Sequence, residues 1–200
     1  LIDAFKLLVH NKYFLMICGA YLLMQIYSAT LGMGIYFMKY VLGDEEIFGV
    51  FAWAINIPMI AGLLLTPILV KKTGSMQKVN FWGYVISDIL GIFLIIFAMQ
   101  KNLPMMLLFM FLKGTFAGTM SGTLNALIAE ISGYTYRTKG VHIDGMMFSC
   151  SSLGVKVGGG IGTAAVGWLL HAAGYAGKAA TQTAAATNMI FSMYITIPVI

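Results

Sequence analysis

IFGVFAWAINIPMIAGLLLTPILV, residues 47–70, contains no ionisable side chain. The run exceeds the ~20 apolar residues that carry an α-helix across the hydrocarbon of a bilayer, so the solvent of this segment is lipid. Upstream, Phe14–Met38 is equally free of charge. Downstream, Val79–Met99, Leu103–Ala129 and Gly145–Leu170 are as apolar, each interrupted by a single ionisable residue: Asp88, Lys113 and Lys156. A sixth run starts at Met189 and reaches only Ile200, short of a full crossing. The fold class expected is therefore all-α, a polytopic membrane helical bundle in one membrane domain over 1–200. Its spans fall at about 14–38, 47–70, 79–99, 103–129, 145–170 and 189–200, the last truncated. Both chain ends read as interior cuts, since Leu1-Ile2-Asp3 is neither an initiator Met nor a signal peptide.

Composition agrees. With 60% hydrophobic and 10% charged residues, a soluble domain of this size could not hide its apolar side chains. The connections alternate between membrane sides, which lets Lys and Arg be counted by side. Lys6, Lys12, Lys71, Lys72, Lys78, Arg137 and Lys139 share one side; Lys39, Lys101 and Lys178 share the other. The positive-inside rule places the first group, with residues 1–12, 71–78 and 130–144, in the cytoplasm of a cell (plasma or inner) membrane. The net charge of +5 is then a matter of topology and calls for no nucleic-acid partner. Within 1–12, the apolar positions Ile2, Phe5, Leu8 and Val9 space as an amphipathic helix lying on the cytoplasmic surface. Cys18 and Cys150 fall inside spans, where they act as small apolar residues rather than as a disulfide or metal framework.

Pro58 and Pro67 remove backbone donors from the second span and imply tight helix packing there. Basic Lys71–Lys78, with Gly74, reads as a short hairpin, and the Ala/Gly/Thr-rich 172–188 as an external loop. Gly114, Gly118 and Gly122 in span four, and Gly154, Gly158 and Gly162 in span five, recur every four residues on one helix face. Such faces serve close helix packing.

Lys156 lies nearly opposite the second glycine face and falls in line with Ser149, Ser152, Gly160 and Thr163. A lysine near the bilayer centre costs at least ~2.5 kcal/mol, so this polar stripe faces a partner or a water-filled pathway and not lipid. A structural ion pair between helices is the competing reading. Asp88 is the sole carboxylate at membrane depth, against Lys113 and Lys156, and Asp88 and Lys113 are expected to join Lys156, Ser149, Ser152 and Thr163 along the substrate pathway. Pairing of Asp88 with Lys113 is the first expectation and cation binding by Asp88 the last; otherwise Lys113 snorkels toward the external surface, or an absent part of the protein neutralises the surplus lysine. Between spans four and five, Glu130, Tyr134, Arg137 and Asp144 concentrate charge and hydrogen-bonding groups in a short connection, suited to a cytoplasmic gate of salt bridges; His142 adds a weak hint of pH response. No enzyme motif occurs, and no cofactor is expected.

Ala129-Glu130, Tyr134, Gly140, Asp144-Gly145, Phe148-Ser149, Gly154-Val-Lys-Val-Gly-Gly-Gly160 and Gly167-Trp-Leu-Leu170 together resemble the glycoside-pentoside-hexuronide:cation symporters, the melibiose permease type of the major facilitator superfamily. Pro67-Ile-Leu-Val-Lys-Lys-Thr-Gly74, Gly174-Tyr175, Gln182 and Pro198 fit the same template. The resemblance implies that the chain is the C-terminal six-helix half of a major-facilitator-type transporter. It implies uptake of a sugar or glycoside with a coupling cation, Na⁺ or H⁺, by rocking of two halves, with Lys156 in the central cavity. The cation site and much of the sugar site would come from the missing N-terminal six-helix half. Gly133 and His142 depart from the family's usual Asp and Arg. A same-fold transporter of a drug, organic anion or lysolipid, and a non-transporting receptor or scaffold, are the alternatives.

Overall fold

A computed structural model describes residues 9–141, 144–179 and 181–199, the side chains of 120–122 aside. The amphipathic segment expected over 1–12 falls mostly outside the described residues, as does His142. The elements run α1 (Lys12–Leu31), α2 (Gly34–Phe37) continuing into a π-helical turn (Met38–Leu42), α3 (Phe48–Thr73), α4 (Met76–Met99), α5 (Leu103–Lys139), α6 (Asp144–Ala172) and α7 (Ala184–Phe191). After α7 the chain goes on as a π-helix over Ser192–Thr196 and a 3₁₀ turn over Ile197–Val199. No strand occurs among the described residues, and five helical segments are long and apolar enough to cross a bilayer.

Three boundaries differ from the hydropathy reading. The first span is interrupted after Leu31, where Gly32 and Gly34 weaken the helix and a Cβ at Gly34 would stand 2.9 Å from the Phe48 ring. The helix that holds the fourth span does not end at Ala129. It continues as helix to Lys139 and stops at Gly140, whose φ of 69° suits glycine. The reason is amphipathic: beyond the apolar run, Ser132 and Thr135 continue the buried face that Ile128 carries within it. At ~1.5 Å per residue the helix is about 55 Å long, well over the ~30 Å of hydrocarbon. The last span begins at Ala184, not Met189, because Thr183 accepts a hydrogen bond from the Ala186 N–H and the following alanines are strong helix formers.

The chain divides into two compact units. Unit 1 comprises 1–29 and 124–164; unit 2 comprises 30–123 and 165–200. In unit 1, Phe14 and Ile17 of α1 pack with Ile128 of α5 and Met147 of α6. In unit 2, Phe37 and Met38 meet Phe51, Met106, Ile190 and Met193, and the Phe37 ring lies 5.0 Å from that of Tyr194.

Small residues let the helices of unit 2 touch backbone to backbone. A Cβ added to Gly62 of α3 would stand 2.0 Å from the Thr115 carbonyl oxygen of α5, and one at Gly118 would stand 2.5 Å from the Met59 carbonyl oxygen. Thr66 crosses the same seam, its hydroxyl donating to the Gly62 carbonyl at 2.8 Å. α4 turns Val79, Gly83, Ser87, Gly91, Leu94 and Ala98 inward, one face at helical period. The residues left outside are large and apolar, such as Trp53, Leu64, Ile68 and Phe81. Apolar outside and small or polar inside is the arrangement lipid selects.

Candidate functional site

The chemistry-bearing residues of unit 1 gather on α1, α5 and α6. Gly158 and Gly162 set α6 against α1: added Cβ atoms would lie 3.1 Å from Gln25 Cβ and 2.9 Å from Ala29 Cβ. Gly154, on the same face, would meet nothing within 4 Å. The opposite face carries Ser149, Ser152, Lys156, Gly160 and Thr163, all exposed on this chain. Ser149 donates to the Gly145 carbonyl at 2.8 Å and Thr163 to the Gly159 carbonyl at 2.9 Å, so both hydroxyl protons are spent on the helix's own backbone. Lys156 has no hydrogen-bond or ion-pair partner among the described residues. Its ammonium and the Ser152 hydroxyl are the polar groups of the stripe without a partner among the described residues.

Two polar residues missed in the sequence hold this assembly together. Gln25 Nε2 of α1 donates to the Val155 carbonyl at 3.2 Å, beside Lys156, and the Tyr21 hydroxyl donates to Asn125 Oδ1 of α5 at 2.9 Å. An amide in the middle of a charge-free span was the available signal, since a polar side chain there needs a partner inside the protein.

At the far end of α5, the Ser132 hydroxyl donates to Asp144 Oδ1 in the first turn of α6. Asn11 caps α1 by accepting from the Tyr13 and Phe14 N–H groups, and its Nδ2 donates to Thr135 Oγ1 at 3.0 Å. The Tyr13 and Tyr134 rings meet edge to face at 5.7 Å. Asp144 and Tyr134 are thus brought into one cluster with Ser132, Asn11, Thr135 and Tyr13, which the sequence reading had not included. Glu130 and Arg137 are exposed and form no ion pair among the described residues.

Unit 2 holds the other two site residues and corrects their expected pairing. Lys113 does not snorkel; it is 7% exposed, and its Nζ donates to the Pro198 carbonyl at 2.7 Å. Nor does it form a direct ion pair with Asp88 among the described residues. The cause is the seam between α4 and α5. Ser87 is buried there and its hydroxyl donates to the Lys113 carbonyl at 3.4 Å, so the lysine side chain runs past the seam to the last span. No group of His, Cys, Asp and Glu among the described residues could hold a metal ion.

A family model described as MFS/sugar transport protein matches residues 1–200. Among curated proteins, an uncharacterised 29.9 kDa protein of Pseudescherichia vulneris is 29% identical over 173 residues, 86% of this chain and 62% of its own. The isoprimeverose transporter of Lactiplantibacillus pentosus is 26% identical over 83% of this chain and 34% of its own. An Escherichia coli protein provisionally named a glycoside/cation symporter, YagG, is 25% identical over 98% and 42%. The chain therefore spans between about a third and under two thirds of these relatives' lengths. No solved structure matches it at a significant level.

Proposed function

Because the chain belongs to the MFS/sugar transport protein family, within the glycoside-pentoside-hexuronide group it resembles, we propose that it forms one side of a pathway for secondary active transport of a sugar or glycoside, coupled to Na⁺ or H⁺. The observation that carries the reading is Lys156: a charge at membrane depth, exposed on its own chain and without a partner there. Facing lipid, that ammonium would cost at least ~2.5 kcal/mol. Facing a second six-helix half across a wet cavity, it becomes a hydrogen-bond donor for sugar hydroxyls and a counter-charge for carboxylates that bind the coupling cation.

The rest of unit 1 supports this role in order. The glycine face of α6 seats it on α1, Gln25 holds its backbone at the level of Lys156, and the polar face is left to line the pathway. In this reading the Ser132–Asp144 and Asn11–Thr135 bonds hold the cytoplasmic ends of α1, α5 and α6 together as a gate, with Glu130 and Arg137 exposed to meet the other half. Alternating access needs one wall to move as a body around a fixed site, and a unit cross-linked by polar bonds at both levels suits that.

The experiment replaces Lys156 with Ala in the full-length protein and follows cation-driven accumulation and counterflow of labelled glycosides in proteoliposomes. Accumulation should fall by at least about tenfold, as expected for the loss of one hydrogen bond from a charged donor. Unchanged accumulation would remove Lys156 from the pathway. Flux of a lysolipid or drug with indifference to glycosides would assign the same fold another cargo, and absence of any flux would point to a receptor.

A further inference from the structure

The turn between α3 and α4 gathers three cations in one place. Lys71 and Lys72 stand in the last turn of α3, and Gly74 ends that helix at a φ of 68° with its N–H on the Val70 carbonyl at 2.8 Å. Ser75 then caps α4 by accepting from the Lys78 N–H. Because only Gly74 and Ser75 lie between the helices, helical rise keeps all three lysines within about 5 Å of the turn along the axes. All three are exposed, and none has a hydrogen-bond or ion-pair partner among the described residues. The sequence offers no counter-ion nearby: residues 47–87 hold no Asp, Glu, Arg or His, and Asp88 lies about 15 Å beyond Lys78 along α4. The cytoplasmic end of unit 1, by contrast, mixes signs, with Glu130 and Asp144 among Arg137 and Lys139.

One turn toward the membrane from these lysines, both helices expose apolar side chains. Ile68 precedes Lys71 and Lys72 at helical spacing and is 63% exposed, and Leu64 continues its column a turn deeper. On α4, Phe81 and Trp82 follow Lys78 at the same spacing, more than half exposed, with their rings edge to face at 5.6 Å. Each helix end is therefore a cationic head over an apolar shaft, and Trp82 stands where its amphipathic ring suits the membrane interface. A soluble anion would use the charges and leave the shafts idle. A zwitterionic lipid would bring its own cation, for which the hairpin offers no carboxylate. An anionic phospholipid satisfies both features, its phosphate against the ammonium groups and its acyl chains along the apolar side chains.

We propose that the α3–α4 hairpin is a docking site for the head group of an anionic phospholipid in the cytoplasmic leaflet, with Lys71, Lys72 and Lys78 on its phosphate and Phe81 and Trp82 against its chains. The negative surface potential of that leaflet draws lipid and lysines together. What the hairpin adds to general attraction is place, since the lysines are carried on a capped two-residue turn and not on a tether. The site depends on the spans crossing a bilayer and is independent of the cargo.

The test uses the full-length protein with Trp82 as its only tryptophan, in phosphatidylcholine vesicles carrying a small fraction of brominated lipid, which quenches tryptophan on contact. Brominated phosphatidylglycerol should quench Trp82 with an apparent affinity at least about fivefold above that of brominated phosphatidylcholine, the share expected of one lysine near an anionic surface. The preference should vanish when Lys71→Gln, Lys72→Gln and Lys78→Gln are combined, survive when the same three become Arg, and shrink in ~1 M salt, where charges are screened beyond ~3 Å. Millimolar inorganic phosphate should leave it unchanged. Equal quenching by the two lipids in the parent overturns the proposal, and is the result expected if carboxylates elsewhere in the full-length protein hold these lysines. A preference that the Gln variant keeps overturns it too, and displacement by phosphate overturns it in favour of a soluble anion. Should the triple Gln variant fail to fold, Lys78→Gln alone and the salt dependence of the parent decide. No sugar enters the measurement, so a failure here is distinct from a failure of the sugar-transport reading.

Discussion

Adding one methyl group to Gly62 tests how the spans of unit 2 meet. The new Cβ would stand 2.0 Å from the Thr115 carbonyl oxygen, 3.0 Å from its carbonyl carbon and 3.2 Å from Gly118 Cα. A carbon and a carbonyl oxygen in favourable contact rest ~3.3 Å apart, so α3 and α5 must separate by about 1 Å. All three obstacles are main-chain atoms, and no rotamer change can relieve them. Thr66 is tied to the same seam, donating to the Gly62 carbonyl and, at 3.4 Å, to that of Thr119, so a parting of the helices also stretches a buried hydroxyl's bonds. Overpacking of this kind destabilises by ~1–3 kcal/mol, and a backbone-on-backbone clash belongs at the upper end. With ~2–4 °C of melting temperature per kcal/mol in a domain of this size, Gly62→Ala should lower Tm by about 6–12 °C. Thermal unfolding of the full-length protein in detergent, followed by tryptophan fluorescence, reads this directly. Gly19→Ala is the matched control: it is a helical glycine of α1 whose Cβ would meet nothing within 4 Å, and helix propensity favours alanine by up to ~1 kcal/mol. If Gly62→Ala melts with or above the parent, or Gly19→Ala falls as far, close backbone approach is not what joins these helices.

Other consequences are as direct. Gln25→Leu keeps the volume roughly but strips the donor to the Val155 carbonyl; net loss of ~1 kcal/mol in stability is expected, with a larger fall in glycoside uptake if that bond sets the height of Lys156. Gln182→Ala removes an amide that accepts from the Ala176 N–H and donates to the Ala176 carbonyl, and limited proteolysis should then cut the 173–183 connection several times faster, whereas unchanged cutting would mean the loop is held elsewhere. Burial, together with the Tyr175 hydroxyl's own hydrogen bond to Tyr40, holds the Tyr175 phenol above its ordinary range. A raised folded value means that stability is fully present below the unfolded pKa of about 10 and is lost as pH rises beyond it. Spectrophotometric titration should show a late phenolate that Tyr175→Phe removes, and an ordinary titration for that residue would refute the contact.

Hydropathy located the spans because lipid tolerates almost no charge, and the four-residue period of Gly114, Gly118, Gly158 and Gly162 located two helix seams in advance. The seam on α4 escaped because Ser87 interrupts its glycines: the rule concerns small side chains, and a search for glycine alone passes over Gly83, Ser87 and Gly91. The helical end of α5 escaped for a different reason. Hydropathy reports where lipid ends, and past Ala129 the helix is held by a narrow buried edge of Ser132 and Thr135, in line with Ile128, rather than by a bilayer. An expected Asp88–Lys113 pair gave way to a bond with Pro198 because opposite charges advertise themselves in a sequence, whereas a main-chain oxygen can belong to any residue. The π-helical stretches had no signal beyond Pro198 itself.

The continuation of α5 to Lys139 has one more effect. Glu130 and Arg137, seven residues apart, are held about 10 Å from each other along the axis by helical rise, so neither can neutralise the other and each stays available to a third party. A tether would forgive an inserted residue there; a threaded rod cannot. One extra residue near Gly133 would turn the remainder of α5 by ~100° and carry Thr135 away from Asn11, to which it is bonded. The segment thus behaves as a gauge whose length and phase are both fixed, and its tolerance of insertions and deletions should be that of a packed core.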